Sequence, residues 1–557
     1  MNNYRPVLYA LLAVILFFIW TDWQHWHAPV PPPAPAGSAL PAAPGVAAPT
    51  APTAPTAPTA PTAPVTPQAA RPSAPAVAKT TSPKAPTAAV VVKTRLLTAT
   101  LSAGGADITD LALHRYFADK SHGKQPYALL KPAGHTVFSN ENGLLGQVNL
   151  PNHTSVYETR GGDYTVPAHG KPLAVRFRWH EGTISVLKTY TFAPDSYTVP
   201  VRYAVHNAGT KPITVYLYNQ FLHSPPPKSH LFHSAPIYIG ASYYTPQHKY
   251  HKEPFPRMTK HPLHVAATGG WVAVSQHYFL GAAIPPPSTP AIFYSSVLAG
   301  PRYIVGYKTA RPLVVAPGQT GVLATRLFLG PKKPSLLKSV APGLGLTVDY
   351  GWLTVLAQPL YWVLSHIEAV VGNWGISIIL LTVLIKVIFF PLSAASFKSM
   401  AKMRKLQPRM AALKERHGTD KAALQQAMME LYKTEKMNPL GGCLPMIVQI
   451  PVFIALYWVL LDSVALRDAP FLLWIHNLAA PDPYFVLPIL MGISMLAQQM
   501  LNPAMMDPTQ RKVMMVMPVI FTGFFLFFPA GLVLYWVTNN VLSILQQQWV
   551  MARVDKA

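Results

Sequence analysis

Cysteine is nearly missing from this chain: Cys443 is the one copy in 557 residues. No intramolecular disulfide can form, and no cysteine-based metal cage can be assembled. Charge is scarce too, at 12% of residues, about half the roughly 25% usual in soluble proteins. Half of the residues are hydrophobic, so a membrane protein is expected. Acids are the scarcer sign, 21 Asp and Glu against 45 Lys and Arg, for a formal net charge of +24. Such an excess suits nucleic acid, anionic lipid or an unusual solvent, and its distribution along the chain decides among them. The length allows two or three domains.

Residues 7–20, VLYALLAVILFFIW, form an apolar run followed by Trp23 and Trp26 as candidate interfacial anchors. A signal-peptide core and a short membrane helix both fit its length. The bulky TDWQHWH that follows lacks a small-x-small cleavage site, so residues 1–27 read as an uncleaved transmembrane anchor with its N-terminus inside. Residues 28–89 are an Ala/Pro/Thr-rich linker containing APTAPTAPTAPTAPTAP. Proline at every third position favours extended polyproline II, hence a semi-rigid tether.

Residues 90–345 change texture to short alternating runs such as LAVRFRWH, ITVYLYNQF and YIVGYKTA, punctuated by Gly, Pro, Asn and Asp with no convincing helix between them. That pattern predicts an all-β sandwich. Between residues 90 and 338 it carries 25 Lys/Arg, nine acids and fifteen His, without the basic helix or aromatic-basic repeat of a nucleic-acid reader, and DNA is not expected as a partner. An acidic external medium, in which histidine would be charged, accounts for this composition better. The group His223, His230, His233, His248 and His251 has irregular spacing in Pro-rich surroundings, so no metal site is expected.

Residues 346–372 carry Trp352, Leu356, Leu360, Trp362 and Val363 with polar interruptions, as in an amphipathic helix lying on a membrane surface. Five apolar segments follow in residues 373–557, at 374–391, 444–461, 484–501, 513–528 and 532–550. Each is long enough to span when slightly tilted, making six crossings with the first anchor. Residues 393–443 hold ten Lys/Arg against four acids, whereas 462–483 hold Arg467 alone. Basic loops stay in the cytoplasm, so both termini are placed there and the β-domain outside the cytoplasmic membrane.

One residue stands against this pattern. Lys386 lies within LLTVLIKVIFFPL, and a charge in hydrocarbon costs about 2.5–3.5 kcal/mol on insertion scales. Snorkelling towards the headgroups is one remedy; a hydrated cavity is the other. Thr382 lies one helical turn earlier, Gln449 sits between Pro445 and Pro451, and Thr538, Asn539 and Asn540 crowd the last segment. Polar side chains on several helices favour the cavity over simple helix-packing glue. In residues 393–440 two helices broken at HGTD are expected to form an antiparallel hairpin. Met400, Met403, Leu406, Met410 and Leu413 stripe the first and Met428 the second. They could zip the hairpin together or, through pliable methionine, receive arriving apolar segments. Lys398, Lys402, Arg404, Lys405 and Arg409 could touch phospholipid or ribosomal RNA, although the positive-inside rule already explains them.

The stretches NWGISIILLTVLIKVIFFPLSAASFKSMAKMRKLQPRM, EKMNPLGGCLPMIVQIPVFIALYWVL and FFPAGLVLYWVTNNVLSILQQQ resemble the YidC/Oxa/Alb family of membrane protein insertases, in its Gram-negative form. The resemblance implies a bundle of six transmembrane helices, five forming the insertase core, plus a periplasmic all-β supersandwich domain. It implies a water-filled groove open to the cytoplasm and lipid, with a positive residue at the position of Lys386, where the family most often has arginine. Lysine keeps the charge but loses the bidentate fork. Tyr535 and Trp536 join Lys386, Thr382, Gln449, Thr538, Asn539 and Asn540 in the implied groove. The implied partners are nascent membrane proteins, the Sec translocon with its accessory subunits, the phospholipid bilayer and, as an open case, the ribosome. No cofactor and no enzymatic activity are expected. The rival is a membrane-anchored periplasmic carbohydrate-binding or carbohydrate-modifying protein, although no carboxylate pair or nucleophile setting stands out in the β-domain. A transporter would show inverted repeats, and none is visible.

Overall fold

The computed structural model describes residues 89–118, 125–132, 137–224, 238–298, 300, 302–418, 420–435, 444–501 and 508–556, without the side chains of 421, 444–447, 508–513, 555 and 556. The expectations for the anchor at 1–27 and the linker up to residue 88 lie outside the described residues.

Strands β1 (Ala89–Lys93) to β19 (Thr320–Pro331) form three sheets. A five-stranded sheet has the order β4 (Pro126–Leu130), β3 (Ile108–Phe117), β2 (Leu97–Ser102), β1 and β6 (Gly162–Thr165). A six-stranded one runs β13 (His264–Thr268), β16 (Pro290–Leu298), β17 (Arg302–Thr309), β10 (Ile213–His223) and β18 (Leu313–Val315), with β5 (Phe138–Gly146) also paired to β10. An eight-stranded one runs β12 (Lys249–Glu253), β11 (Gly240–Thr245), β14 (Trp271–Ser275), β15 (Phe279–Ile284), β19, β9 (Thr198–Asn207), β8 (Ile184–Phe192) and β7 (Leu173–Glu181). Residues of β10 (Ile213–His223) meet β14, β15 and β19 of the eight-stranded sheet, so the two larger sheets face each other. Alternation shows why. In β7 (Leu173–Glu181), Val175, Phe177 and Trp179 point inward while Arg176, Arg178 and His180 point out, as the two-residue period requires. β10 has its side chains buried continuously from Tyr218 to Phe221 because it is covered on both faces.

In β8 (Ile184–Phe192) the inward register is Ile184, Val186, Lys188, Tyr190 and Phe192, placing an ammonium group in the core. Lys188 Nζ donates to Asp107 Oδ1 and to Gly105 O, both at 2.8 Å, and to Asn142 O at 3.1 Å. The rings of Tyr157, Tyr190 and Tyr203 lie 5.4–5.6 Å from it. Burial lifts the Asp107 carboxyl to about 6 even beside this cation and lowers the pKa of Lys188.

The β-domain is interrupted by a short helix α1 (Phe255–Lys260) between β12 and β13, which corrects the helix-free expectation. Pro254 caps it with Pro256 in its first turn, where a missing N–H costs nothing. Helix α2 (Pro334–Val340) closes the domain. The surface helix α3 (Thr354–Val371) begins after two 3-10 turns, Leu344–Thr347 and Gly351–Leu353. Trp352 in the second turn and Val355 and Trp362 on the helix are exposed, and Leu364 and Ala357 are buried. Gly372 ends α3 at φ 70°, and the Asn373 side chain accepts from Ile376 N to start the next helix.

That helix, α4 (Trp374–Ile388), continues after one residue into α5 (Phe390–Arg416) at a bend of 66°. The break falls at Phe389, earlier than the expected end at 391, because Pro391 sits in the first turn of α5, the place in a helix that tolerates it. α6 (Lys421–Thr434) packs back on α5. Its start is capped by Asp420, which accepts from Ala422 N and Ala423 N; the chain break therefore falls within HGTD as expected. α7 (Leu444–Asp462), α8 (Val486–Leu501), α9 (Pro508–Phe525) and α10 (Ala530–Lys556) complete the helical region. α10 packs on α4, α5, α7 and α8. Gly492 lets α8 approach α9, since a Cβ there would lie 2.1 Å from Thr522 Oγ1.

Among the described residues no single helix is both long and apolar enough to cross a membrane; the α4–α5 pair passes that test only as a bent unit. The apolar parts of α7, α8 and α9 are shorter, 448–462, 486–501 and 514–525. The helical region is joined to the β-domain through the end of α7. Lys332 Nζ pairs with Asp462 Oδ1 at 3.3 Å, and the His277 ring meets Leu461 O at 3.0 Å. Arg467 donates to Phe117 O at 2.6 Å while lying over the rings of Tyr127, Tyr278 and Phe279.

Candidate functional site

α10 organises the polar side chains of the helical region. Helical spacing puts Asn539 and Ser543, four residues apart, on one face and Asn540 and Gln547, seven apart, on an adjoining one. On the first face, Lys386 of α4 donates to Ser543 Oγ at 2.7 Å, and Ser543 Oγ in turn donates to Asn539 O at 2.7 Å. One turn back, Gln449 Nε2 of α7 donates to Asn539 Oδ1 at 2.7 Å. Three helices thus contribute to one polar seam. On the second face, Asn540 Nδ2 donates to Ser494 Oγ of α8 at 3.0 Å, buried.

Of the residues singled out from sequence, Lys386, Gln449 and Asn539 come together. Asn540 faces α8 instead. Thr382 is buried and its hydroxyl donates to Ile378 O within its own helix at 2.6 Å; Thr538 does the same to Leu534 O at 2.8 Å. Tyr535 is buried and stacks on Phe453 at 6.1 Å. Trp536 packs on Phe453 at 4.9 Å, and its indole N–H is buried without a partner among the described residues.

Lys386 is half-buried. Among the described residues no carboxylate lies within ion-pair distance of it, and the Ser543 hydroxyl is its hydrogen-bond partner. A hydroxyl satisfies one of three ammonium protons and leaves the charge uncompensated. Ser543 was missed from sequence. The available signal was its place one turn beyond Asn539, but a serine in an apolar helix does not announce which neighbour it serves. Ser494 went unnoticed for the same reason.

In the hairpin, Met403 and Leu406 are buried and Met400, Met410, Leu413 and Met428 are half-buried. Arg409 Nη1 and Glu435 Oε1, 2.6 Å apart, tie α5 to the end of α6. Burial of the inner stripe is what a zipped hairpin needs, and partial exposure along the rest leaves apolar surface accessible. Of the five histidines, His223, His248 and His251 are among the described residues. His223 is buried in an aromatic stack on Phe255 at 5.3 Å, with burial pushing its pKa down to about 4. His251 stacks on Tyr243 at 5.4 Å, while His230 and His233 lie outside the described residues. Among the described residues no group of three potential metal ligands forms.

Comparison with known proteins places residues 366–557 in the family described as "60Kd inner membrane protein" and residues 89–363 in the "YidC periplasmic domain". A membrane protein insertase YidC of Methylobacillus flagellatus is 48% identical over 469 residues, covering 84% of each chain. The protein of the same description from Alkalilimnicola ehrlichii is 47% identical over 475 residues, covering 84% of this chain and 83% of that one. A crystal structure described as an active YidC insertase aligns at 18% identity with TM-score 0.38, over 83% of this chain and 93% of that one, a likeness too loose to argue from.

Proposed function

This chain belongs to the YidC membrane protein insertase family, and from that premise we propose that Lys386 and the seam around it receive the polar end of a membrane protein on its way into the inner membrane. What supports the reading most directly is the solitary charge: a cation held by one serine hydroxyl, with the amide groups of Gln449 and Asn539 close by. Six crossings, with both termini in the cytoplasm, would leave the seam inside the bilayer and open to the cell interior. There the amide and hydroxyl groups hydrate a groove, and an acidic tail exchanges water for the ammonium group of Lys386.

Helix length assists this. At 1.5 Å per residue, the 15 residues of α4 reach about 22 Å, short of the roughly 30 Å of bilayer hydrocarbon. A short span thins the membrane locally, so the polar tail has less oil to cross while the apolar segment leaves sideways into lipid. Apolar burial drives the step, aided by the membrane potential at about 2.3 kcal/mol per charge per 100 mV. The groove residues Thr382, Tyr535, Trp536, Thr538 and Asn540 shape the walls. The hairpin residues Met400, Met403, Leu406, Met410, Leu413 and Met428 hold α5 on α6 and offer a pliable first contact. The protein acts alone on small clients and beside the Sec translocon and its accessory subunits on larger ones, with ribosomes delivering nascent chains to the hairpin.

Reconstitution tests this. In proteoliposomes, Lys386→Ala should lose insertion of a short client with an acidic tail, Lys386→Arg should retain it, and a client with a neutral tail should be less affected. Equal insertion by wild type and Lys386→Ala would remove the role assigned to the charge.

A further inference from the structure

Beyond the turn of the bent pair, α5, the last turns of α10 and Glu435 at the end of α6 line an open hollow of about 690 Å³ whose wall carries Lys398, Lys402, Lys405 and Arg553. The lysines recur at steps of four and three residues, which places them on one face of α5. None of these four cations is in an ion pair among the described residues, and the single carboxylate in the wall, Glu435, is taken by Arg409 at 2.6 Å. On the α10 side the Arg553 guanidinium lies 3.9 Å from the centre of the Trp549 ring, and Phe390 meets that ring edge-on at 5.6 Å. The hollow is thus a concave basic surface with an aromatic wall, and among the described residues its one anion, Glu435, is paired with Arg409 rather than with the four cations.

A second feature leads into it. Val541, Leu545 and Trp549 follow one another at four-residue steps along α10 and are 44%, 57% and 46% exposed. Trp549 belongs both to this apolar track and to the wall of the hollow. At the end of α4, Val387 and Ile388 are exposed as well. An apolar track ending in a basic hollow has the polarity of one molecule, a lipid, with chain along the track and phosphate in the hollow. RNA or free phosphate would leave the track unused.

We infer that this hollow binds the phosphate of an anionic phospholipid, with an acyl chain laid along Val541 and Leu545. The inference rests on the proposed reading of α4 and α10 as membrane spans, which sets α5 at the level of the cytoplasmic headgroups. Bound there, the lipid bridges α5 to α10 and steadies the hairpin beside the mouth of the groove.

The test is native mass spectrometry of the full chain in detergent with phosphatidylglycerol or phosphatidylethanolamine. Wild type should retain phosphatidylglycerol in preference. The pair K398Q/K402Q should weaken retention on the order of 30-fold, at roughly fivefold for each cation near a lipid phosphate. The control K414Q/R416Q, at the exposed far end of α5, should leave it unchanged, and the charge-keeping K398R/K402R should bind as wild type does, which separates lost charge from lost folding. Equal retention of both lipids by wild type, an equal loss in the control, or displacement by excess inorganic phosphate would overturn the inference. So would unchanged lipid retention in K398Q/K402Q alongside lost binding of an RNA oligomer. Client insertion by the same wild-type preparation, compared with Lys386→Ala, is scored separately. Normal insertion without lipid retention removes this inference alone, whereas wild type that inserts no client removes the functional reading whatever lipid it holds.

Discussion

Lys188 and Lys386 each interrupt an otherwise apolar face of their element, and they are handled in opposite ways. Lys188, in the β-domain, is fully enclosed and fully answered: a carboxylate, two carbonyls and three tyrosine rings surround it. Lys386, in the helical region, is half-buried and answered by one hydroxyl. A closed set of partners satisfies a charge within the fold, and a cation whose partners are incomplete is left uncompensated. Under the proposed function that uncompensated charge is the one available for binding.

Breaking the closed site should have the largest effect. Lys188→Met leaves Asp107 buried without its cation and should cost about 3–5 kcal/mol of β-domain stability, read from denaturant unfolding of the purified chain. Adding Asp107→Leu to the same chain should return most of that loss. A melt unchanged by the single substitution would mean that the enclosed pair contributes nothing.

Acid probes a third buried group, one with no counter-charge. His223 is neutral in the fold, with its pKa lowered to about 4 by burial, and in the unfolded chain it titrates near 6.5. The unfolded state therefore binds the extra proton first. Stability is fully present above pH 6.5 and falls as pH drops towards 4, by up to about 3 kcal/mol. In the Phe replacement, His223→Phe, the slope of unfolding free energy against pH over that window should be shallower. An identical slope would show that other groups govern acid sensitivity.

At the open site the expected pattern is inverted. Lys386→Ala should change the melting transition little, because one hydroxyl contact is lost, yet reduce insertion of acidic-tailed clients by about tenfold, the equivalent of roughly 1.4 kcal/mol. A large loss of stability would make Lys386 structural and erase the comparison. The smallest effect belongs to the hairpin: Asp420→Ala removes two N-terminal hydrogen bonds of α6 and should cost about 1 kcal/mol, visible as faster amide exchange across Lys421–Thr434.

Much of this architecture could be read in the residues. Alternation in LAVRFRWH predicts β7, the HGTD break predicts the turn between α5 and α6, and its place in an apolar run singles out Lys386. Partners were not legible. Lys188 sits at an inward position of β8, yet its alternating neighbours gave no warning, because Asp107 comes from the turn before β3, 81 residues away. The short helix α1 was missed because six residues around two prolines show no period.

The order of apolar and basic segments, the run of alternating strands and the identity of the solitary cation are properties of the linear chain, since they depend on composition and on periods of two or about four residues. The choice of Ser543 over any carboxylate for Lys386, the enclosure of Lys188 and the meeting of α5 with α10 around a basic hollow were decided by tertiary packing. Periodicity tells a side chain which face to occupy, but the group it meets there comes from a distant segment whose approach is set by the packing of all the elements together.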